Sequence, residues 1–182
     1  MRHRSGSGRN HPMGKHRQLP DLLPRLTAFA RVLLNDHDAA NDLVQEAASR
    51  ALAARRVPAD PPAYRAWLFK IVRNAALDEL RRQKRTPIAD DAAAAQAMPV
   101  VFNFDDAWIA KITVEQGLSA LSRDHREIIA LIDIAGFSYG EAADLLQIPD
   151  GTVMSRITRA RGMLLAAISS NTVRPLKSSH GR

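Results

Sequence analysis

Gly136-Phe137-Ser138-Tyr139-Gly140-Glu141-Ala142-Ala143-Asp144-Leu145-Leu146-Gln147-Ile148-Pro149-Asp150-Gly151-Thr152-Val153-Met154-Ser155-Arg156-Ile157-Thr158-Arg159-Ala160-Arg161 is the stretch on which the reading of this chain turns. Ser138 stands three residues before Glu141, so its hydroxyl and the carboxylate can each satisfy a backbone N–H at a helix start. A short helix is predicted over Tyr139–Leu146. Gln147 to Gly151 makes a turn, and a new helix from Thr152 to Ile168 points Val153, Ile157, Ala160 and Leu164 inward. Two helices so joined have helix-turn-helix spacing. The outer face of the second carries Ser155, Arg156, Thr158, Arg159 and Arg161, with no acid from Thr152 to the last residue. Such a face suits a DNA major groove, where arginine forks reach guanine or phosphate and small hydroxyls approach without clashing. Cations near a helix C-terminus are also favoured by the macrodipole, and the same motif can be pure scaffolding. Spacing alone leaves both readings open.

Upstream, Val114, Leu118 and Leu121 fall on one helix, and Ile128, Ile129, Leu131, Ile132 and Ile134 on the next, which stops at Gly136, a natural C-cap. Ser122 before Arg123 is a good N-cap. Farther back, Thr86 to Lys111 holds Pro87, an alanine run, Pro99 and the acids Asp90, Asp91, Asp105 and Asp106 against the single cation Lys111. This reads as an acidic linker over 86–111.

Three helices are predicted before it. Leu22, Leu26, Phe29, Ala30 and Leu33 recur at helical spacing until Asn35-Asp36-His37-Asp38 interrupts with capping residues. A second helix puts Ala39, Leu43, Ala47 and Ala51 on one face and ends at Val57-Pro58-Ala59-Asp60-Pro61-Pro62. A third, from about Ala63 to Arg85, has Tyr64, Leu68, Ile71 and Ala75 as its apolar ridge, with Lys70, Arg73, Asn74 and Arg81 on another side. The result is an all-α chain with a three-to-four-helix bundle over 19–85 and a helix-turn-helix domain over 112–168. A disordered basic arm (1–18) precedes them and a basic tail (169–182) follows.

The chain has 182 residues, a net charge of +7 and 46% hydrophobic but only 5% aromatic residues, a balance suited to small helical bundles. No run of apolar residues is long enough to span a membrane and no secretory signal is present, so a cytoplasmic protein is expected. The absence of cysteine excludes disulfides and thiol chemistry. There is no phosphate-binding loop and no zinc-protease helix, and His3, His11, His16, His37, His125 and His180 are scattered. Neither an enzyme nor a metal or organic cofactor is expected.

The two helical blocks together resemble the extracytoplasmic-function (ECF) sigma factors, the sigma-70-family proteins that direct bacterial RNA polymerase to promoters. In the second block the resemblance to region four lies in Arg126-Glu127, Gly136-Phe137-Ser138-Tyr139, Glu141-Ala142-Ala143, Ile148-Pro149, Gly151-Thr152-Val153, Ser155-Arg156 and Arg159-Ala160-Arg161. In the first, Asp42-Leu43-Val44-Gln45-Glu46-Ala47 and Ala66-Trp67-Leu68-Phe69-Lys70-Ile71-Val72-Arg73-Asn74, with Asp78 and Arg81-Arg82, resemble region two. The resemblance implies that Asp38, Asp42, Leu43, Gln45 and Glu46 meet the clamp of core polymerase. It implies that Trp67, Lys70, Arg73, Asn74 and Arg81 handle the melted minus-ten element, and that Thr152, Ser155, Arg156, Thr158, Arg159 and Arg161 read the minus-thirty-five duplex. It also implies control by an anti-sigma factor until a stress signal arrives.

The residue chemistry is compatible. Asp38, Asp42 and Glu46 are spaced i, i+4 as an acidic ridge, although Glu46 can equally pair with Arg50. Lys70, Arg73 and Asn74 beside the aromatics Tyr64, Trp67 and Phe69 suit a grip on unstacked bases, although Trp67 and Phe69, as helical aromatics, can equally pack in the core. Three positions depart from the family pattern: Met154 stands where a cation is usual, Gln147 where glycine is frequent, and Ser122 where proline often starts a helix. Two rivals remain: a sigma mimic that only captures an anti-sigma factor, which would not need Arg156, Arg159 and Arg161, and a helix-turn-helix repressor, which leaves the first block unexplained.

Overall fold

The computed structural model describes residues 16–85 and 106–170, and every regular element among them is helical. The expectations for an arm, most of the linker and the tail fall on 1–15, 86–105 and 171–182, outside the described residues. The chain divides into two compact units, Met1–Leu80 and Arg81–Arg182.

In the first unit, helix α1 (Leu19–Leu34) ends at Asn35, whose left-handed φ of 55° lets its N–H reach the Arg31 carbonyl. Asp36 then caps helix α2 (His37–Ala53), its carboxylate accepting from the N–H groups of Asp38 and Ala39 at 2.9 and 3.0 Å. Helix α2 ends at Ala53, ahead of the expected 57–62 stop, so Pro61-Pro62 does not terminate it. These residues begin helix α3 (Pro61–Arg85), because a first turn needs no N–H from them, while Asp60 accepts from Ala63 N–H at 3.1 Å.

The α1 face is buried as expected, and so are Ala47 and Ala51 on α2 and Tyr64 and Leu68 on α3. The other halves of those two stripes are shifted by one residue: Ala40 and Val44 replace Ala39 and Leu43, and Val72 and Ala76 replace Ile71 and Ala75, with Phe69 joining them. Both helices carry apolar residues on adjacent stripes, so periodicity could not choose between registers separated by about 100°. Phe29 and Phe69, both wholly buried, meet edge to face at 5.3 Å and lock α1 to α3. His16, expected in the disordered arm, is buried: its ring faces Tyr64, with Nδ1 3.0 Å from the phenol oxygen. Burial pushes the Tyr64 phenol up.

The second unit contains α4 (Asp106–Ser119), α5 (Arg123–Ile129) continuing into a π-helical turn (Ala130–Ile134), α6 (Tyr139–Leu146) and α7 (Asp150–Ser170). The start of α4 lies within the stretch read as linker. Val114 is exposed rather than inward, and the α4–α7 contact forms instead at Gly117, where a Cβ would stand 3.0 Å from side-chain carbons of Leu164 and Ile168. Leu118, Leu121, Ile128, Leu131, Phe137, Val153, Ile157 and Ala160 form the core. The π turn was not expected. Its Ala135 N–H reaches five residues back to Ala130, and Gly136 at φ 74° releases the chain so that Phe137 N–H closes on Leu131.

Candidate nucleic-acid and polymerase interfaces

On α2, Asp38, Asp42, Gln45 and Glu46 are exposed and Leu43 is half-buried. Glu46 accepts from Arg50 Nε at 2.8 Å, so the alternative reading of that carboxylate as an i, i+4 partner is realised, with both side chains open to solvent. Such an exposed pair is worth about 0.3–0.5 kcal/mol, too little to hold the side chain against a partner. Asp38 lies 3.6 Å from His37 Nδ1.

On α3, Trp67, Lys70, Asn74 and Arg81 fall within about 60° of one another at 100° per residue, one stripe running along the helix. Arg73 flanks it. Lys70, Asn74 and Arg81 are exposed, whereas Trp67 and Arg73 are half-buried. Trp67 leans on Tyr64 with ring centroids 5.6 Å apart, which fixes the indole at the stripe's upper end. Phe69 belongs to the core, so among the aromatics singled out on this helix only Trp67 joins the exposed stripe.

In the second unit the local grammar of the helix-turn-helix is realised atom by atom. Glu141 N–H reaches Ser138 Oγ at 3.3 Å while Ser138 N–H reaches Glu141 Oε2 at 2.8 Å, the reciprocal cap that starts α6. Gln147 turns the chain with φ 57°, the left-handed conformation that makes glycine the easier residue here, and its side-chain amide donates to the Asp144 carbonyl at 2.5 Å. The turn is shorter than expected, because α7 begins at Asp150.

The outward side of α7 shows Met154, Ser155, Thr158, Arg159 and Arg161, with Thr152 and Arg156 half-buried at its margins. Ser155 Oγ donates to the Thr152 carbonyl at 3.1 Å and Thr158 Oγ1 to the Met154 carbonyl at 2.8 Å. Both hydroxyl protons are engaged by the helix, leaving oxygens that can accept from a base amino group. The three arginines differ in a way their spacing did not reveal. Arg156 Nη1 lies 3.9 Å from Asp124 of α5. Arg161 forks onto Asp133 of the π turn. Arg159, exposed, has no carboxylate within ion-pair distance among the described residues. Asp124 and Asp133 were not singled out in the sequence; each lies in a different element from its arginine, and no periodicity connects them.

Arg126 is half-buried, its Nε without a hydrogen-bond partner, and desolvation lowers the guanidinium's pKa. No group of three or more His, Asp or Glu poised for a metal occurs among the described residues, and none of their helices is long and apolar enough to cross a membrane.

One unit thus carries an acidic helix and a polar-aromatic stripe, and the other a capped helix-turn-helix. Residues 21–86 match Sigma-70 region 2 and residues 112–164 match Sigma-70, region 4. The chain is 34% identical over 151 residues to the ECF RNA polymerase sigma factor EcfG of Rhodopseudomonas palustris, covering 80% of each chain. It is 32% identical to the ECF RNA polymerase sigma-E factor of Escherichia coli K12, over 74% of each chain. Among solved structures it is similar to the sigma factor RpoE of Bartonella quintana in complex with the anti-sigma factor NepR. There the TM-score is 0.66 and the identity 31%, over 87% of this chain and 99% of that one. It is similar also to CnrH in complex with the cytosolic domain of CnrY, with a TM-score of 0.65 and 25% identity over 90% and 92%. The chain belongs to the extracytoplasmic-function sigma factors of the sigma-70 family.

Proposed function

We propose that this protein is an alternative sigma factor that binds core RNA polymerase and directs it to a dedicated promoter class. The first domain meets the polymerase clamp through Asp38, Asp42, Leu43, Gln45 and Glu46, and opens the minus-ten element on the α3 stripe of Trp67, Lys70, Asn74 and Arg81, with Arg73 beside it. The helix-turn-helix reads the minus-thirty-five element with Thr152, Ser155 and Arg159 at the centre and Arg156 and Thr158 beside them. The observation that carries this reading is the cation of Arg159, left without an acidic partner beside two hydroxyl acceptors on the outer face of α7. Both regions occurring in one chain, in the family's order, support it.

The domain limits follow the same reading: 19–85 for polymerase and minus-ten binding, 112–168 for minus-thirty-five binding, and the acidic segment between as a tether. The protein acts in the cytoplasm, where its polymerase is, and it is not an enzyme: catalysis belongs to polymerase. It is held by an anti-sigma factor until a signal releases it, a reading supported by the similar Bartonella quintana sigma factor having been solved with its anti-sigma factor. Run-off transcription on genomic DNA with the purified chain and its cognate core polymerase tests the function. Discrete new starts sharing two spaced upstream elements are expected. Core binding without new starts would turn the reading to a mimic, and no core binding would turn it to a repressor. Co-purification from unstressed cells tests the anti-sigma partner.

A further inference from the structure

Arg161 was grouped with the DNA-facing cations by its spacing, yet its surroundings differ from those of Arg159. Asp133 lies 28 residues earlier in the chain, in the π turn, and each of its oxygens takes one N–H from the guanidinium: Nη2 to Oδ1 at 2.5 Å and Nε to Oδ2 at 3.2 Å. A two-bonded arginine–carboxylate fork sets direction as well as charge. Its hydrogen bond to Asp133 is the largest of the effects that raise the Arg161 pKa. One guanidinium therefore joins α7 to the π turn.

Position separates Arg161 from the groove as well. It lies two residues after Arg159, which turns it about 200° around α7 from that side chain. The acceptor sits where the helix is irregular: an extra residue per turn rotates the following side chains by about 100° relative to an α-helix. The fork is thus built across two elements that meet only in the folded domain.

We propose that Arg161 is bound to the protein rather than to DNA, and that Asp133 is the positioning residue which, through Arg161, sets the angle of α7 and so aims Ser155 and Arg159. This deepens the assignment of α7 as the minus-thirty-five helix and rests on it.

The test uses the full chain and fluorescence anisotropy with two duplexes, one carrying the minus-thirty-five element mapped by run-off transcription and one scrambled, between 50 and 200 mM salt. Arg161→Gln and Asp133→Asn each weaken the promoter duplex by about three- to ten-fold, and the double variant is no weaker than either. The salt slope on scrambled DNA is unchanged by Arg161→Gln, and Asp133→Glu restores part of the promoter affinity. Circular dichroism identifies any variant that fails to fold, and the conservative Asp133→Glu then carries the comparison against wild type, with intermediate affinity expected. A slope reduced by about 0.9 in Arg161→Gln marks a phosphate contact and overturns the proposal; so do additive losses in the double variant. Arg159→Ala is the control on the underlying assignment. If it changes nothing on either duplex, α7 is not the reading helix and the proposal falls with that assignment. If Arg159→Ala weakens promoter binding while Arg161→Gln reduces the slope, the proposal falls and the assignment of α7 stands.

Discussion

Arg159→Ala tests the DNA-reading assignment most directly, because the side chain has no second task. It is exposed and has no ion pair among the described residues, so its removal leaves no carboxylate unpartnered and no cavity in the core. Domain stability should change by no more than about 0.5 kcal/mol, the usual range for a surface exchange. Arg159 lies nine residues past Asp150, about 13.5 Å along the axis. Its side chain leans back toward the helix N-terminus, as helical side chains do, which brings the guanidinium over Ser155. An arginine in that place donating to a base edge contributes about 1–3 kcal/mol of discrimination, so the variant should bind the promoter duplex roughly 5- to 150-fold more weakly. The salt series decides what is being contacted. A lost base contact lowers affinity by the same factor at every ionic strength, while a lost phosphate contact flattens the slope of log K against log salt by about 0.9. Anisotropy with promoter and scrambled duplexes over 50–200 mM salt separates them: a loss confined to the promoter duplex at constant slope is expected. Equal loss on both duplexes with a flatter slope would refute base reading by Arg159, and no loss on either would refute the assignment of α7.

Three further outcomes follow from other parts of the molecule. Met154 is exposed on the same helix with no cation in its place, so Met154→Arg should add a phosphate contact, steepening the salt slope by about 0.9 and tightening scrambled duplex binding at 50 mM salt; an unchanged slope would mean that this flank lies away from the DNA backbone. Asn74, exposed one turn beyond Lys70, is assigned to the melted strand, so Asn74→Ala in the holoenzyme should reduce permanganate reactivity of the minus-ten region several-fold while the upstream footprint persists; equal loss of both would remove this division of labour. Gly117→Leu forces a side chain into the 3.0 Å approaches to Leu164 and Ile168 and should destabilise the second unit by about 1–3 kcal/mol in urea unfolding; wild-type stability would show that α4 does not close on α7 at this glycine.

What was legible in the sequence and what was not divides by the range of the physics involved. The Ser138–Glu141 cap, the Ser122 cap and the α1 core stripe all depend on residues within a few positions of one another, and all are found in the fold. On α2 and α3 only half of each expected stripe reaches the core, Ala47 and Ala51 on one and Tyr64 and Leu68 on the other, and the rest is displaced by one residue because alanine and other apolar residues occupy adjacent faces. Only the partner helix decides which face is buried, as Phe29 does for Phe69. Pro61-Pro62 reads as a stop in the sequence but is a start in the fold, where α2 already ends at Ala53: proline lacks the N–H that a helix interior needs and a first turn does not.

The candidate site shows the same limit with greater consequence. An unbroken run free of acids from Thr152 onward made Arg156, Arg159 and Arg161 look equivalent, because a charge pattern along one helix carries no information about what faces it. In the fold the acids arrive from elsewhere: Asp124 from α5 stands at 3.9 Å from Arg156, and Asp133 from the π turn takes two hydrogen bonds from Arg161. That leaves an ordered series, with Arg159 available to a ligand, Arg156 loosely neighboured by an acid, and Arg161 committed to the protein. Since counterion release counts only cations that reach phosphate, a salt slope computed from all the basic residues of α7 would overstate the contacts this helix makes. On the proposed assignment, the number of DNA contacts open to α7 is limited by the acids of the neighbouring elements as well as by its own arginines.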